Sequence, residues 1–203
     1  MHSRYPLPRR AVLVALVGLV VVACGSSGAT FDPSSPCTSD GRQAGAYPAL
    51  EAVIPKTLDG RGPNTLDSGR NCTDAALGTL RSHGVTEARF AGGLWERGKS
   101  SGATLAIFES PQQLTAAWLG EFYEAGARTG RHTENIETKP VTIDGQAGYR
   151  LDTLNDDSFQ TVIVWPRGGR VAVVLVGSSV REVTTRAEHD SVVNAALAAW
   201  SNG

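Results

Sequence analysis

Hydrophobic and polar positions change their spacing several times along this chain, and each change marks an element. Residues 11–23, AVLVALVGLVVVA, form an unbroken apolar run that stops at Cys24. Thirteen residues at about 1.5 Å each make a helix of roughly 20 Å, short of the ~30 Å hydrocarbon core that takes ~20 residues to cross. Ahead of the run stand Arg4, Arg9 and Arg10, with no acidic residue before Asp32. Run and charges together have the pattern of an export signal over residues 1–23. Residues 24–45 are rich in Gly, Ser, Pro and Asp without periodicity, the composition of a flexible tether.

From residue 46 onward the spacing becomes regular. A short helix is expected over residues 48–54, stopped by Pro55, and a single strand around residues 65–68 within a Gly- and Pro-punctuated stretch. Thr73 reads as the N-cap of a helix carrying Ala76, Leu77 and Leu80 and ended by Gly84. Strands are expected over residues 85–91 and 103–109, joined by a Gly-rich connection. Ser110-Pro111-Gln112-Gln113 then has the order of a helix start, and Leu114, Ala117, Trp118, Phe122 and Ala125 follow at spacings of three and four. Asp144-Gly145, between residues 141–143 and 147–154, predicts a tight hairpin. There Tyr149 and Leu151 alternate with Arg150 and Asp152 as in a half-buried strand. Residues 159–165 and 170–177 are nearly continuous apolar runs around Pro166-Arg167-Gly168-Gly169, so this hairpin should be buried on both faces. A last helix over residues 185–200 places His189, Val193, Ala196, Leu197 and Trp200 on one face.

The elements add up to an α+β domain over residues 46–203, a mostly antiparallel sheet of six or seven strands with helices on both faces. The order, hairpin, helix, meander, helix, resembles the Mog1/PsbP-type sandwich found in some actinobacterial surface lipoproteins. At the front of the chain, Val21-Val22-Ala23-Cys24 resembles the bacterial lipobox. That resemblance implies that Cys24 is diacylated and becomes the new N-terminus after cleavage. Two acyl chains, at ~0.8 kcal/mol per buried methylene, hold a protein stably on a bilayer where one chain does not. Arg9-Arg10 is also compatible with a twin-arginine export route.

Charge and cysteine count fit that location. Loss of residues 1–23 removes three of 19 basic residues and none of the 20 acidic ones, leaving 16 against 20, a formal charge of −4. A net negative domain is a poor partner for nucleic acid or for electrostatic docking on anionic lipid. With Cys24 assigned to lipid, Cys37 and Cys72 remain as a pair in an oxidising compartment, where a disulfide is expected. Closing their 35-residue loop would contribute roughly 4 kcal/mol by chain entropy. A metal site there would need further ligands, and neither CxxC nor clustered histidine is present.

Candidate chemistry is sparse. Gly93-Leu94-Trp95-Glu96-Arg97-Gly98-Lys99-Ser100 satisfies the G-x-x-x-x-G-K-[ST] phosphate-loop pattern, but a strand pattern follows it where the phosphate loop needs a helix. It reads as a solvated hairpin turn, and no nucleotide is expected. Asp152, Asn155, Asp156 and Asp157 lack the glycine and distal glutamate of a calcium loop. Arg167 and Arg170 flank a hairpin tip and could grip an anion. His83, His132 and His189 sit in no catalytic frame. Of four tryptophans, Trp95 alone lies where exposure for binding is conceivable, with core packing the default. The sequence thus predicts a membrane-anchored extracytoplasmic module that binds an envelope protein, polymer or small apolar ligand, without cofactor or metal. An envelope hydrolase with a non-local site and a hydrophobe carrier are the alternatives. The first requires a histidine in a cleft beside a serine or carboxylate. The second requires an apolar cavity of at least ~300 Å³ between sheet and helices.

Overall fold

Alternation along each strand decides which side chain meets which layer. In the strand Arg170–Ser179, Val171 and Val173 point to one side while Ala172, Val174 and Val176 point to the other, and all five are buried. The protein is described here by a computed structural model covering residues 31–201, so the signal segment and Cys24 lie outside the described residues. Its strands are β1 (Gly41–Gln43), β2 (Thr65–Asn71), β3 (Ala88–Glu96), β4 (Gly102–Glu109), β5 (Thr133–Ile143), β6 (Gln146–Asn155), β7 (Ser158–Arg167) and β8 (Arg170–Ser179). They form one sheet in the order β1-β2-β3-β4-β8-β7-β6-β5, antiparallel throughout.

Helices cover both faces. On one lie α1 (Pro48–Glu51) and α4 (Arg186–Ser201), whose Leu50, Val193, Ala196 and Trp200 pack on Leu105, Ile107, Trp165 and Val174. On the other lie α2 (Asp74–Leu77), the 3-10 turn Gly78–His83 and α3 (Ala116–Thr129), with Leu77, Leu80 and Leu119 against Phe108, Leu151, Val164 and Val173. The α+β class, the antiparallel sheet and the two covered faces agree with the sequence. Both predicted hairpin tips use left-handed residues: Asp144 and Gly145 at φ 50° and 74°, Gly168 and Gly169 at φ 57° and 78°.

The differences have local causes. The sheet has eight strands, because β1 lies inside the stretch read as tether. Residues 31–45 are not loose: their backbone and side chains are tied to β2, as described below. Helix α3 begins at Ala116, not near Ser110. Thr115 is its N-cap, accepting from the Trp118 amide at 3.2 Å, while the Ser110 hydroxyl is turned to the Glu87 carbonyl at 2.7 Å. β3 runs through Gly92-Gly93, which pair with Asp67 and Leu66 on one side and Ala106 and Leu105 on the other, and the Trp95 ring folds across Gly93, where a Cβ would come within 2.7 Å of it. β5 starts eight residues before the expected Val141. It is an edge strand, with charged Glu134, Glu137 and Lys139, a register shift between Glu134 and Glu137, and Pro140. Those are the features that protect an edge, and they also disguise it as a loop.

Candidate functional site

The chemistry-bearing side chains converge where the first turns of α4 cross β6, β7 and β8. His189 lies one turn into α4, on the helix face that meets the sheet, and is fully buried. Its Nδ1 is 2.9 Å from Ser178 Oγ and its Nε2 is 2.9 Å from Thr161 Oγ1. Thr161 in turn donates to Asp152 Oδ1 at 2.5 Å. Because that hydroxyl proton is spent on the carboxylate, Thr161 accepts from His189, which fixes the proton on Nε2 and leaves Nδ1 to accept from Ser178. The result is a one-directional chain, Ser178 to His189 to Thr161 to Asp152.

Charges close the far end of this chain. Arg150 Nε bonds both Asp152 oxygens, at 3.0 and 2.8 Å, and its Nη2 reaches Asp190 Oδ1 at 2.5 Å. Lys139 Nζ stands 3.3 Å from Asp152 Oδ2, and Arg186 Nη1 stands 3.8 Å from Oδ1. Burial of Asp152 opposes its ionisation, but the bonds from Arg150 and Thr161 outweigh that and hold its carboxyl below the usual range. Burial, reinforced by the Arg186 charge, lowers His189 to about 4, so it is neutral at physiological pH. Arg150 and Asp152 are therefore not the solvated face of a half-buried strand. The start of α4 covers them, and they are kept charged by pairing with each other.

Ser178, His189 and a carboxylate are the residue types of a hydrolase, and the hydrogen-bond distances suit one. Access does not. Ser178 is 1% exposed, His189 0% and Asp152 5%, so a substrate carbonyl has no path to Ser178 in this arrangement. What the chain does in place is satisfy four buried polar groups and fix the register of α4 on the sheet.

Two of the cavities among the described residues open at opposite ends of the sheet. The larger, about 500 Å³, lies beside the β7–β8 tip and the start of α3, lined among others by Leu114, Thr115, Gln146, Pro166 and Val171. Arg167 and Arg170 border it, but neither is a free anion grip. Arg167 pairs with Asp144 at 3.3 Å, donates to the Trp200 carbonyl at 2.8 Å and lies over the Trp200 ring; Arg170 bonds Glu109 at 2.8 Å. The smaller, about 400 Å³, is bordered by His132, which sits 3.4 Å from Asp156 and is mostly exposed. The lining of the larger cavity is mixed, with Thr115 and Gln146 beside Leu114, Pro166 and Val171.

The Gly93–Ser100 pattern ends β3 and turns into β4 without a helix, and the Lys99 and Ser100 amides, at 2.8 and 3.2 Å, bind the carboxylate of Glu182. The turn is anion-binding in kind, and the anion is the protein's own. Trp95 is core, its Nε1 donating to the Arg61 carbonyl at 2.8 Å. His83 stacks on Trp118 with ring centres 4.7 Å apart and bonds Glu121 at 2.7 Å. Among the described residues no cluster of His, Cys, Asp and Glu has metal-binding geometry, and no helix is long and apolar enough to cross a membrane.

The stretch that precedes β1 forms the second notable feature. The Arg70 guanidinium, on β2 and buried, bonds the carbonyl of Ser35 at 2.7 Å, its hydroxyl at 2.9 Å, and the carbonyls of Asp32, Pro33 and Pro36 at 3.2–3.3 Å. The Phe31 ring lies 5.5 Å from the same guanidinium. Asp40 accepts from the Cys72 amide at 2.6 Å and from both the amide and hydroxyl of Thr73. Cys37 and Cys72 face each other at bonding distance, Cα atoms 5.4 Å apart. Sequence reasoning paired the cysteines but missed the arginine cage, since an arginine that bonds backbone carbonyls leaves no trace in residue types.

No family model matches the chain, and no curated protein does. Among solved structures it is similar to a Pseudomonas aeruginosa protein of unknown function, at 14% identity and a TM-score of 0.36, over 54% of this chain and 78% of that one. It is also similar to cyanobacterial PsbP (CyanoP) from Synechocystis sp. PCC 6803, at 16% identity and a TM-score of 0.37, over 85% of this chain and 96% of that one. Neither likeness speaks to what this chain binds or does.

Proposed function

We propose that this chain is an extracytoplasmic lipoprotein, anchored through acylated Cys24 and oxidised at Cys37 and Cys72, whose domain binds a partner rather than transforming a substrate. The observation that carries the reading is the pinned arm. A chain that is caged, capped and cross-linked from residue 31 onward is built to bear load at its N-terminal end, and seven residues upstream stands the lipobox cysteine. The sealed Ser178–His189 pair favours binding over hydrolysis, and the cavity of about 500 Å³ is within the ~300–1,000 Å³ range of small-ligand sites. An envelope protein or polymer end that reaches the membrane surface is the partner class that the mixed lining suits.

Mass spectrometry of protein extracted from membranes should find an N-terminus at Cys24 carrying two acyl chains, and Cys24→Ser should move the protein to the soluble fraction. An intact leader, or cytosolic recovery of the unaltered chain, would sink the anchor. Exposure to a fluorophosphonate probe should leave Ser178 unlabelled; a covalent adduct there would replace the binding reading with the hydrolytic one.

A further inference from the structure

The arm does more than tie down its own residues, because where it is fixed sets how many residues lie between the fold and Cys24. If residues 24–45 were all free, about 22 residues at up to ~3.6 Å each would let the domain stand nearly 80 Å from its anchor and tumble in any direction. With the chain fixed from Phe31 by the Arg70 cage, only seven steps remain, at most about 25 Å.

Where the arm leaves the sheet is equally defined. Phe31 sits beside Gly41, where a Cβ would be 2.3 Å from its ring, and Gly41 pairs with Arg70 at the C-terminal end of β2. The ladders continue across this end: Asn71 with Ala88, Arg89 with Glu109, Phe108 with Val171, Arg170 with Arg167. The loop before α3, the β7–β8 tip and the larger cavity are therefore all on the arm's end of the sheet. The opposite end carries the β3–β4 tip with Lys99 and the turn at Asp156. The two ends are separated by β3, nine residues long, or about 30 Å.

Resting on the anchor proposed above, we infer that the arm end of the sheet, with its cavity, is the surface presented to the lipid bilayer, and that the β3–β4 end always points away. A leash of about 25 Å cannot hold the arm end ~30 Å or more above the lipid, which an inverted domain would require. The surface fits a neutral lipid face. Its cations are matched one to one by carboxylates, Arg89 with Glu87, Arg167 with Asp144 and Arg170 with Glu109. Orientation then comes from the leash and owes nothing to attraction for anionic headgroups.

The test places a fluorescent donor at either end of one column of the sheet, by Gln113→Cys or Lys99→Cys, both exposed positions, in the acylated, oxidised full chain on phosphatidylcholine vesicles carrying acceptor-labelled headgroups. Energy transfer should be about twofold or more greater from position 113 than from 99, given the ~30 Å between them, and addition of phosphatidylglycerol should leave that ratio unchanged. Insertion of 20 Gly/Ser residues between Ser27 and Gly28, upstream of the described residues, lengthens the leash and should bring the ratio close to one. Arg70→Gln with Cys37→Ser and Cys72→Ser should do the same from within the arm. Protein that floats with the vesicles yet transfers equally from both positions would overturn the orientation while leaving the anchor standing. Protein that fails to float would overturn the anchor, and the orientation with it.

Discussion

The two faces of the sheet are covered by helices of similar length and hold cores of similar size, but they are made differently. Behind α3, the clustered core is aliphatic and aromatic, buried Thr153, Ser158 and Ser179 share its side of the sheet near one end, and the longer polar side chains bond at its edge: Tyr149 bonds Glu124 at 2.6 Å, and His83 bonds Glu121. Behind α4, the apolar core of Trp165, Trp200 and Val174 continues into a sealed polar chain that ends on Arg150 and Asp152. An apolar core is held by volume and tolerates small losses piecemeal. A polar chain is held by mutual satisfaction, so removal of one member strands its neighbours in a medium that penalises them. The α4 face should therefore be the more fragile and the more sensitive to mild acid.

The largest effect should come from Asp152→Ala. It leaves Arg150 facing Asp190 alone, takes the acceptor from Thr161 and undoes the proton order at His189, a loss of about 4 kcal/mol by analogy with broken buried pairs. Urea unfolding at pH 7.5 measures it; a loss under about 1 kcal/mol would mean that water enters and rescues the site. The comparison on the apolar face is Leu119→Ala, fully buried against β6 and β7, which should cost about 3 kcal/mol through lost transfer and the cavity left behind.

These two faces separate more sharply when pH is varied. His189 is lowered to about 4 in the fold, against about 6.5 unfolded. Above pH 6.5 neither state is protonated there; between 6.5 and 4 the unfolded chain takes up a proton that the folded one refuses. Stability should fall by about 3 kcal/mol as pH drops through that window. Asp152, held low, gives up its contribution only at more acidic pH, as its carboxylate protonates. His189→Gln should flatten the slope between pH 6.5 and 4 whatever it costs at neutrality. Leu119→Ala should shift the whole curve down and keep its shape. A slope that survives in His189→Gln would assign acid sensitivity to some other group.

The apolar face was the legible one. Val171, Val173 and Leu151 announce themselves by spacing, and both hairpin tips by Asp-Gly and Gly-Gly, because periodicity and turn chemistry are local. On α3 the spacing picks Leu114, Ala117, Trp118, Phe122 and Ala125, whereas the buried residues are Ala116, Leu119 and Gly120, the face set once the helix starts at Thr115 instead of Ser110. The polar face gave only its outline. His189 stands on an apolar helix stripe, and Thr161 and Ser178 interrupt apolar strands; each taken alone reads as an ordinary boundary residue. That they meet is a property of sheet order, β6-β7-β8 beneath α4, and no short window of sequence contains it. The alternation of Tyr149 and Leu151 with Arg150 and Asp152 predicts a half-buried strand for the same reason, since it cannot report that a helix from 34 residues further on (Asp152 to Arg186) covers the second face. The arm is the extreme case. Its Gly, Ser and Pro content is that of a tether, and what orders it is one arginine on another strand.

The smallest predicted effect is the one that should erase the contrast. Both long helices start on threonine. Thr115 caps α3 through the Trp118 amide at 3.2 Å, and Thr185 caps α4 through the Glu188 amide at 3.2 Å, with the Glu188 carboxylate returning to the Thr185 amide at 3.2 Å. A cap satisfies a first-turn amide locally, so its worth should not depend on the core beneath, and Thr115→Ala and Thr185→Ala should each cost about 1 kcal/mol at neutral pH. Equality would show that the faces differ only in how their buried groups are satisfied. A cost at Thr185 of twice that or more would mean that His189, four residues on and bonded through its amide to the Thr185 carbonyl at 3.2 Å, needs the cap to hold it in line with Thr161 and Ser178. The polar chain would then extend one turn further, out to the surface.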